Sequence, residues 1–252
     1  QKTAYEIYQC DWSSDVCSSD LGLCGGDLAH ARCTGVMRQH WDAVILDLDG
    51  TLVDTLGDFT EAVARAFADL GLDAVPRARV ERAVGKGSEH LLRTLLAERA
   101  DALYDQAWAR YQHHYNTLNG QFAHLYPGVV EGLQDLRTAG LPLACVTNKP
   151  TAFARDLLQL KGLADHFVQV YGGDAFERRK PDPLPLLKTC DALGTTAART
   201  LMVGDSSNDA QAARAAGCPV VLVDYGYNHG EPVQASAPDG VIDRIDALRW
   251  PV

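Results

Sequence analysis

The sequence at residues 43–54 reads AVILDLDGTLVD, and this stretch decides the fold. Its first four residues are apolar without alternation, which is typical of a strand buried on both faces of a parallel sheet. The strand ends at Asp47, and Asp49 follows two positions later. Ligands of open parallel sheets bind beyond the carboxyl ends of the strands, so both carboxylates are expected at a functional edge.

Strands and helices alternate along the later part of the chain. Apolar runs at residues 143–147, 167–171, 200–205 and 219–223 predict four further strands, and segments with helical periodicity separate them. Strands joined by helices form a parallel sheet with helices on both faces. The pattern therefore predicts an α/β fold built on a doubly wound, Rossmann-like parallel sheet.

Residues 55–125 interrupt this alternation. Apolar residues recur there at helical spacing, and no convincing strand is found among them. A turn signal, Tyr-Pro-Gly at residues 126–128, closes the segment. We therefore expect a smaller α-helical domain at residues 55–125, inserted into a core made of residues 37–54 and 126–252.

Residues 1–36 differ in kind from the rest of the chain. They are rich in Ser, Asp, Gly and Cys and show no sustained helical or strand period. The run at residues 11–21 resembles translated sequencing-adapter sequence, and Met37 stands just ahead of the first strand. The cysteines of this segment form no CxxC pair, which argues against a zinc site. We predict that residues 1–36 are a disordered or non-native tail.

The composition is that of a soluble globular protein, with 46% hydrophobic and 22% charged residues. The formal net charge of −10 argues against nucleic acid or an anionic membrane surface as a partner. No apolar run approaches the roughly 20 residues that a membrane-spanning helix needs. Cys145, Cys190 and Cys218 lie among apolar or small residues, as buried thiols in a reducing cytosol do. We expect a cytoplasmic monomer or homodimer.

Polar segments follow four of the predicted strands, and a parallel topology brings them to one edge of the sheet. They read DLDGTLVD at residues 47–54, TNK at 147–149, KPDP at 180–183 and GDSSND at 204–209. Asp and Gly also favour turns and helix caps, so one such segment alone has a purely structural explanation. Four of them in order indicate a common crevice.

The residue types in this crevice point to phosphoryl chemistry. Asp47, Asp49, Asp205 and Asp209 would repel one another, and some would protonate, unless a cation lay among them. Hard carboxylate and carbonyl oxygens favour Mg²⁺ over zinc. A hydroxyl, an amide and a lysine at neighbouring strand ends are suitable donors for the oxygens of a phosphoryl group. An aspartate placed in line with phosphorus can attack it and form an aspartyl-phosphate.

These segments, in this order, resemble the four signature motifs of the haloacid-dehalogenase superfamily, and the resemblance covers nearly all of the chain beyond the tail. It implies an enzyme that hydrolyses a small phosphorylated metabolite with Mg²⁺ as cofactor. Asp47 matches the nucleophile and metal ligand, and Asp49 matches the acid/base whose backbone carbonyl also binds the metal. Asp205 matches a further metal ligand, and Asp209 matches a residue that supports the water shell of the metal.

The same resemblance implies which side chains hold the phosphoryl group. Thr147 and Asn148 match residues that bind phosphoryl oxygens, and Lys180 matches a lysine that orients the nucleophile and neutralises charge. The helical insertion resembles a cap that closes over small substrates. Residues 55–125 are therefore expected to act as a cap, and residues 37–54 and 126–252 as the catalytic core.

A closer resemblance, to bacterial phosphoglycolate phosphatases, rests on Gly-Gly-Asp at residues 172–174 and on DYGYNHGE at residues 224–231. It implies 2-phosphoglycolate as the substrate. The loop Gly85-Lys86-Gly87 falls where such a cap faces the substrate, so Lys86 is a candidate partner for the substrate carboxylate. A Gly-Lys-Gly loop is also typical of a plain solvated turn.

Two other classes of function are weighed against this one. A sugar phosphomutase or another small-metabolite phosphatase could use the same core, and dehalogenases generally lack a second carboxylate such as Asp49. The other alternative is non-enzymatic, a phospho-receiver or a binding module with a doubly wound sheet. A receiver has one phosphorylatable aspartate but no insertion of about 70 residues. The substrate depends on the shape and charge of the cap loops, which one sequence does not define.

Overall fold

The computed structural model describes residues 40–248. The tail predicted at residues 1–36 lies outside them. The strands are β1 Ala43–Leu46, β2 Val53–Asp54, β3 His124–Leu125, β4 Leu143–Val146, β5 Gln169–Tyr171, β6 Thr200–Gly204, β7 Val220–Val223 and β8 Gly240–Ile242. The helices are α1 Leu56–Asp69, α2 Arg77–Ala83, α3 Ser88–Leu96, α4 Ala100–Leu118, α5 Val129–Thr138, α6 Thr151–Leu160, α7 Leu184–Leu193 and α8 Ser207–Ala216.

Six of the strands form one sheet in the order β5-β4-β1-β6-β7-β8, and every neighbouring pair is parallel. The predicted α/β fold with a doubly wound parallel sheet is confirmed. The sequence patterns missed β8, because a strand of three residues carries too little periodicity to be distinguished from a loop. They also missed β2 and β3, which pair antiparallel in a separate short ribbon at the two ends of the helical insertion.

Strand β1 is the centre of the sheet, and its apolar run explains this position. Val44 and Leu46 contribute to the hydrophobic core on one face, whereas Ile45 contributes to the core on the other. All three side chains are fully buried. A strand without polar alternation is stable only where helices cover both faces, so the sequence at 43–46 selects a central place in the sheet.

Helices α1 to α4 pack around a hydrophobic cluster of their own. In α1 the buried residues include Phe59, Val63, Ala66 and Phe67, which lie on one face at helical spacing. Tyr111 and Tyr115 of α4 are fully buried in the same cluster. The insertion therefore stabilises its helices mainly by packing them against one another.

Asp58, in the first turn of α1, connects the beginning of the helical insertion to its end. Its carboxylate is completely buried and accepts hydrogen bonds from the backbone N–H groups of Gly120, at 2.6 Å, and Phe122, at 2.7 Å. Burial raises the pKa of Asp58, and the two backbone bonds oppose that shift. The carboxylate thus holds together the two segments through which the chain enters and leaves the insertion.

Asp58→Asn should destabilise the protein by about 1.5–3 kcal/mol, because an amide accepts through only one oxygen and leaves a buried backbone N–H without a partner. Urea denaturation followed by circular dichroism measures this loss. Asp156→Asn, an exposed position on α6, is the matched control and should change the free energy of unfolding by less than about 0.5 kcal/mol. Equal stability of the two variants would show that the Asp58 bonds contribute nothing.

Candidate active site

Three adjacent strands place the polar side chains of the site. Asp47 follows β1, Thr147 follows β4 and Asp205 follows β6. The strand pairing continues into these residues, since the N–H of Asp47 donates to the carbonyl of Val203 and the N–H of Thr147 donates to that of Tyr171. The side chains therefore lie at one edge of the sheet with little freedom of the backbone.

Three carboxylates crowd together at this edge. Asp47, Asp205 and Asp209 each offer an oxygen within 4.8 Å of the others, and all three are buried. Burial, together with the neighbouring carboxylates, raises the pKa of Asp47 to about 7, although Lys180 opposes the shift. The pKa of Asp205 is raised for the same reasons. Hard oxygen donors and an excess of buried negative charge fit a divalent cation.

Lys180 is the cation that the structure itself supplies to this cluster. Its ammonium lies 2.7 Å from Oδ1 of Asp209 and 2.9 Å from Oδ1 of Asp47, and it donates to the backbone carbonyl of Val146 at 2.6 Å. Burial disfavours the charged ammonium, but the carboxylates of Asp209 and Asp47 outweigh burial and raise the pKa of Lys180. Lys180 therefore stays charged and holds Asp47 in one orientation.

Asp209 has partners that the sequence did not predict. Its Oδ1 accepts from Lys180, and its Oδ2 accepts from the N–H and the hydroxyl of Ser206 in a capping box at the start of α8. With both oxygens engaged and no exposed surface, Asp209 orients Lys180 and the loop that carries Asp205. Its expected support of the water shell of a metal stays a prediction.

The carboxylate of Asp49 contacts a different cation from the one that Asp47 contacts. Its Oδ1 accepts from Nζ of Lys149 at 2.9 Å, and the same ammonium donates to the hydroxyl of Tyr115 at 2.5 Å. Nζ also lies 4.6 Å from the ring centre of Phe59. The sequence patterns included Lys149 in the TNK segment but assigned it no role, and its position directly after Thr147 and Asn148 was the only available signal.

Asn148 connects the core to the helical insertion. Its amide NH₂ donates to the backbone carbonyls of Gly85 and Lys180, both at 2.9 Å. Both N–H bonds of this amide are therefore already used, and the predicted contact of Asn148 with a phosphoryl group stays a prediction. Thr147 lies beside it, and its hydroxyl accepts from the N–H of Lys149.

A cavity lies where the insertion meets the core. Asp47, Asp49, Thr147, Asn148 and Lys149 line it from the sheet, and Phe59, Val84, Gly85, Gly87, Ser88 and Leu91 line it from the insertion. The structure thus brings together five polar residues at the expected edge.

Lys86 does not line this cavity. It borders a separate one together with His90, Arg179 and Asn208. The two glycines that flank Lys86 do line the first cavity, so the loop reaches the site through its backbone while the lysine lies elsewhere. Lys180, which contacts Asp47, borders the same second cavity as Lys86. The expected contact of Lys86 with a substrate carboxylate stays a prediction.

Tyr227 is a second residue whose role the sequence patterns missed. Its N–H donates to Oδ2 of Asp205, and its hydroxyl accepts from the N–H groups of Thr55 and Leu56 and donates to Asp54. It thereby connects the carboxylate cluster to the first turn of α1. Only the resemblance of residues 224–231 to a known segment had drawn attention to it.

Comparison with known proteins identifies the family. Residues 44–223 match the family model described as haloacid dehalogenase-like hydrolase. The chain belongs to this family. The resemblance noted in the signature motifs is therefore confirmed, and the protein is an enzyme of the hydrolase class. Within the described residues of this hydrolase, helices long and apolar enough to cross a membrane are absent.

Named relatives cover nearly the same part of the chain. A phosphoglycolate phosphatase of Thiobacillus denitrificans is 44% identical over 208 residues, which span 81% of this chain and 92% of the relative. A plasmid-encoded phosphoglycolate phosphatase of Cupriavidus necator is 44% identical over 211 residues, which span 82% and 90%. The crystal structure of a predicted phosphoglycolate phosphatase from Haemophilus somnus 129PT superposes with a TM-score of 0.77 at 31% identity, over 82% of this chain and 96% of that one.

Binding of a divalent cation to this hydrolase should strengthen with pH. The folded-state pKa of Asp47 lies near 7, above its ordinary value, so the metal-free protein holds a proton there and loses stability as pH rises through about 7. A cation must displace that proton below pH 7 but not above it. The apparent Kd for Mg²⁺, measured from the rise in Tm at constant ionic strength, should fall about tenfold between pH 6 and pH 8. Equal Kd values at both pH values would contradict this expectation.

Proposed function

We propose that this protein is a Mg²⁺-dependent phosphatase that hydrolyses 2-phosphoglycolate to glycolate and phosphate through an aspartyl-phosphate intermediate. The observation that carries the proposal is the pairing of two buried carboxylates, Asp47 and Asp49, with separate lysines in one small cavity. In this proposal Asp47 is the attacking carboxylate, and Asp49 serves the leaving group. The names of the two relatives that are 44% identical support the choice of substrate.

In the proposed mechanism the carboxylates of Asp47 and Asp205 and the backbone carbonyl of Asp49 would hold Mg²⁺, which would supply positive charge to neutralise the phosphoryl group. The carboxylate of Asp47 forms the bond to phosphorus while the bond to the bridging oxygen breaks. Asp49 gives its proton to the departing alkoxide. It then takes a proton from the water that hydrolyses the aspartyl-phosphate.

Other residues of the core support this reaction without changing their bonds. Lys180 fixes Asp47 for in-line attack and offsets part of the negative charge that accumulates in the cluster. The hydroxyl of Thr147 lies in the cavity as a donor for a phosphoryl oxygen. Asp209 acts through Lys180, which it holds at 2.7 Å, and is therefore a positioning residue.

The helical insertion acts in this proposal as the cap of the enzyme. Its side chains Phe59, Val84 and Leu91 form the apolar wall of the cavity opposite the carboxylates. An apolar wall excludes water that would compete with the attacking groups and strengthens the electrostatic interactions inside. We assign residues 55–125 to the cap and residues 37–54 and 126–252 to the core on this basis.

A screen of small phosphate esters with Mg²⁺ tests the proposal. 2-Phosphoglycolate should give the highest kcat/KM, above sugar phosphates, and the products should be glycolate and inorganic phosphate. A sugar phosphomutase would instead return an isomeric phosphate and release no inorganic phosphate, which ³¹P NMR distinguishes. Absence of hydrolysis for every ester in the presence of Mg²⁺ would reject an enzymatic phosphatase function.

Asp47→Asn should abolish turnover, with kcat at least about 10³-fold lower, because a neutral amide is a much poorer nucleophile and metal ligand. The fold should persist, since the amide can still accept from Lys180. Steady-state kinetics and circular dichroism measure the two effects. A folded variant with a tenth of the wild-type activity would remove Asp47 from the nucleophilic role.

Asp49→Asn should lower kcat/KM for 2-phosphoglycolate by about 10²–10⁴-fold, because the alkoxide loses its proton donor. The loss for p-nitrophenyl phosphate should be much smaller, since nitrophenolate leaves without a proton. The comparison uses kcat/KM because this constant reports the steps up to transfer of the phosphoryl group to Asp47. Equal losses on the two esters would argue against the role of Asp49 as acid.

A further inference from the structure

Lys149 is a buried cation in the cavity to which the mechanism above assigns no task. Its side chain is only 2% exposed, and the residue lines the cavity together with its neighbours Asp49 and Phe59. Among residues 40–248 it is the one lysine or arginine that lines this cavity. Burying an ammonium is costly unless its environment uses the charge, so its position calls for an explanation.

The bonds of the ammonium leave it one donor to offer. A lysine ammonium carries three N–H groups. Within the described part of the chain two of them have acceptors, Oδ1 of Asp49 at 2.9 Å and the hydroxyl of Tyr115 at 2.5 Å. The ring centres of Phe59 and Tyr115 lie 4.6 and 5.0 Å from Nζ. A cation between ring faces is attracted to them only weakly compared with a carboxylate.

The position of Lys149 relative to Asp49 determines which part of a bound substrate its ammonium can reach. Asp49, as the proton donor, must hydrogen-bond the bridging oxygen of the substrate. In 2-phosphoglycolate that oxygen is attached to the carbon that carries the carboxylate. A group that already contacts Asp49 at 2.9 Å is therefore also within reach of the carboxylate once the ester is bound. Lys86, which borders another cavity, does not have this relation to Asp49.

We propose that Lys149 is the substrate-binding residue that recognises the carboxylate of the phosphate ester. It would thereby select esters in which the carbon bonded to the phosphate oxygen also carries a carboxylate. This assignment rests on the proposed function, and it replaces Lys86 as the partner of the carboxylate. The hydroxyl of Tyr115 holds the ammonium in place.

The test compares two esters that differ only in the anionic group: 2-phosphoglycolate and 2-hydroxyethyl phosphate, in which a hydroxymethyl group replaces the carboxylate. The readout is the ratio of their kcat/KM values, measured with Mg²⁺ on the full chain. Lys149→Met keeps the length of the side chain and removes its charge. It should lower the ratio about 10- to 100-fold, the loss expected for a charge-assisted contact. Most of the loss should fall on 2-phosphoglycolate.

A purely positioning role of Lys149 would give a different result. If Lys149 only orients Asp49, Lys149→Met lowers both kcat/KM values equally, the ratio stays constant, and the inference is overturned. Lys86→Met is the matched variant at the competing position, and a lower ratio there with an unchanged ratio for Lys149→Met would also overturn it. Lys188→Met, an exposed position on α7, controls for loss of a lysine and should leave both esters unaffected.

A crystal structure of the wild-type protein with Mg²⁺ and 3-phosphonopropionate, a non-hydrolysable analogue, gives an answer even if Lys149→Met does not fold. The carboxylate should lie within hydrogen-bond distance of Nζ of Lys149, whereas a carboxylate bound at Lys86 or Arg179 would overturn the inference. If the proposed function itself is wrong, the wild-type protein shows no preference for 2-phosphoglycolate over 2-hydroxyethyl phosphate. That outcome differs from both an unchanged ratio in Lys149→Met and a carboxylate bound away from Lys149.

Discussion

The site depends on one electrostatic constraint, the burial of three carboxylates at the ends of neighbouring strands with a single lysine between them. Asp47 and Asp205 follow β1 and β6, and Asp209 lies in the first turn of α8. Lys180 contacts Asp47 and Asp209 together, so it fixes the nucleophilic position relative to the loop after β6. Because one ammonium cannot neutralise the cluster, the remaining negative charge makes a divalent cation favourable.

Such a cluster can form only where the backbone leaves room for it. A Cβ atom on Gly50 would lie 2.4 Å from Oδ2 of Asp205, and one on Gly226 would lie 2.1 Å from its Cβ. Gly50 also has a φ of +87°, a conformation that other residues adopt only with strain. Because these two positions are glycines, the backbone can lie close to the side chain of Asp205. The N–H of Tyr227, next to Gly226, can then donate a hydrogen bond to the Asp205 carboxylate.

The helical insertion meets this cluster through backbone contacts as well as side chains. Tyr227 satisfies the two N–H groups at the start of α1, and Asn148 and Asn208 both donate to the carbonyl of Gly85. Buried donors and acceptors must be paired, so these bonds define how the loop at Gly85 lies over the sheet. The cavity, and the choice of Lys149 over Lys86 as the cation within it, follow from that placement.

The sequence by itself predicted five of the six strands in the main sheet of the described residues, the helices that cover them and the edge at which the acids gather. Local apolar periodicity predicts the strands, and the carboxyl ends of parallel strands coincide, so residues as distant as Asp47 and Asp205 were placed together correctly. Tertiary structure alone decided which cations Asp49 and Asp209 contact. The bonds of Asp49 to Lys149 and of Asp209 to Lys180 join segments far apart in the chain, and no local pattern encodes which side chains will face each other across a folded cavity.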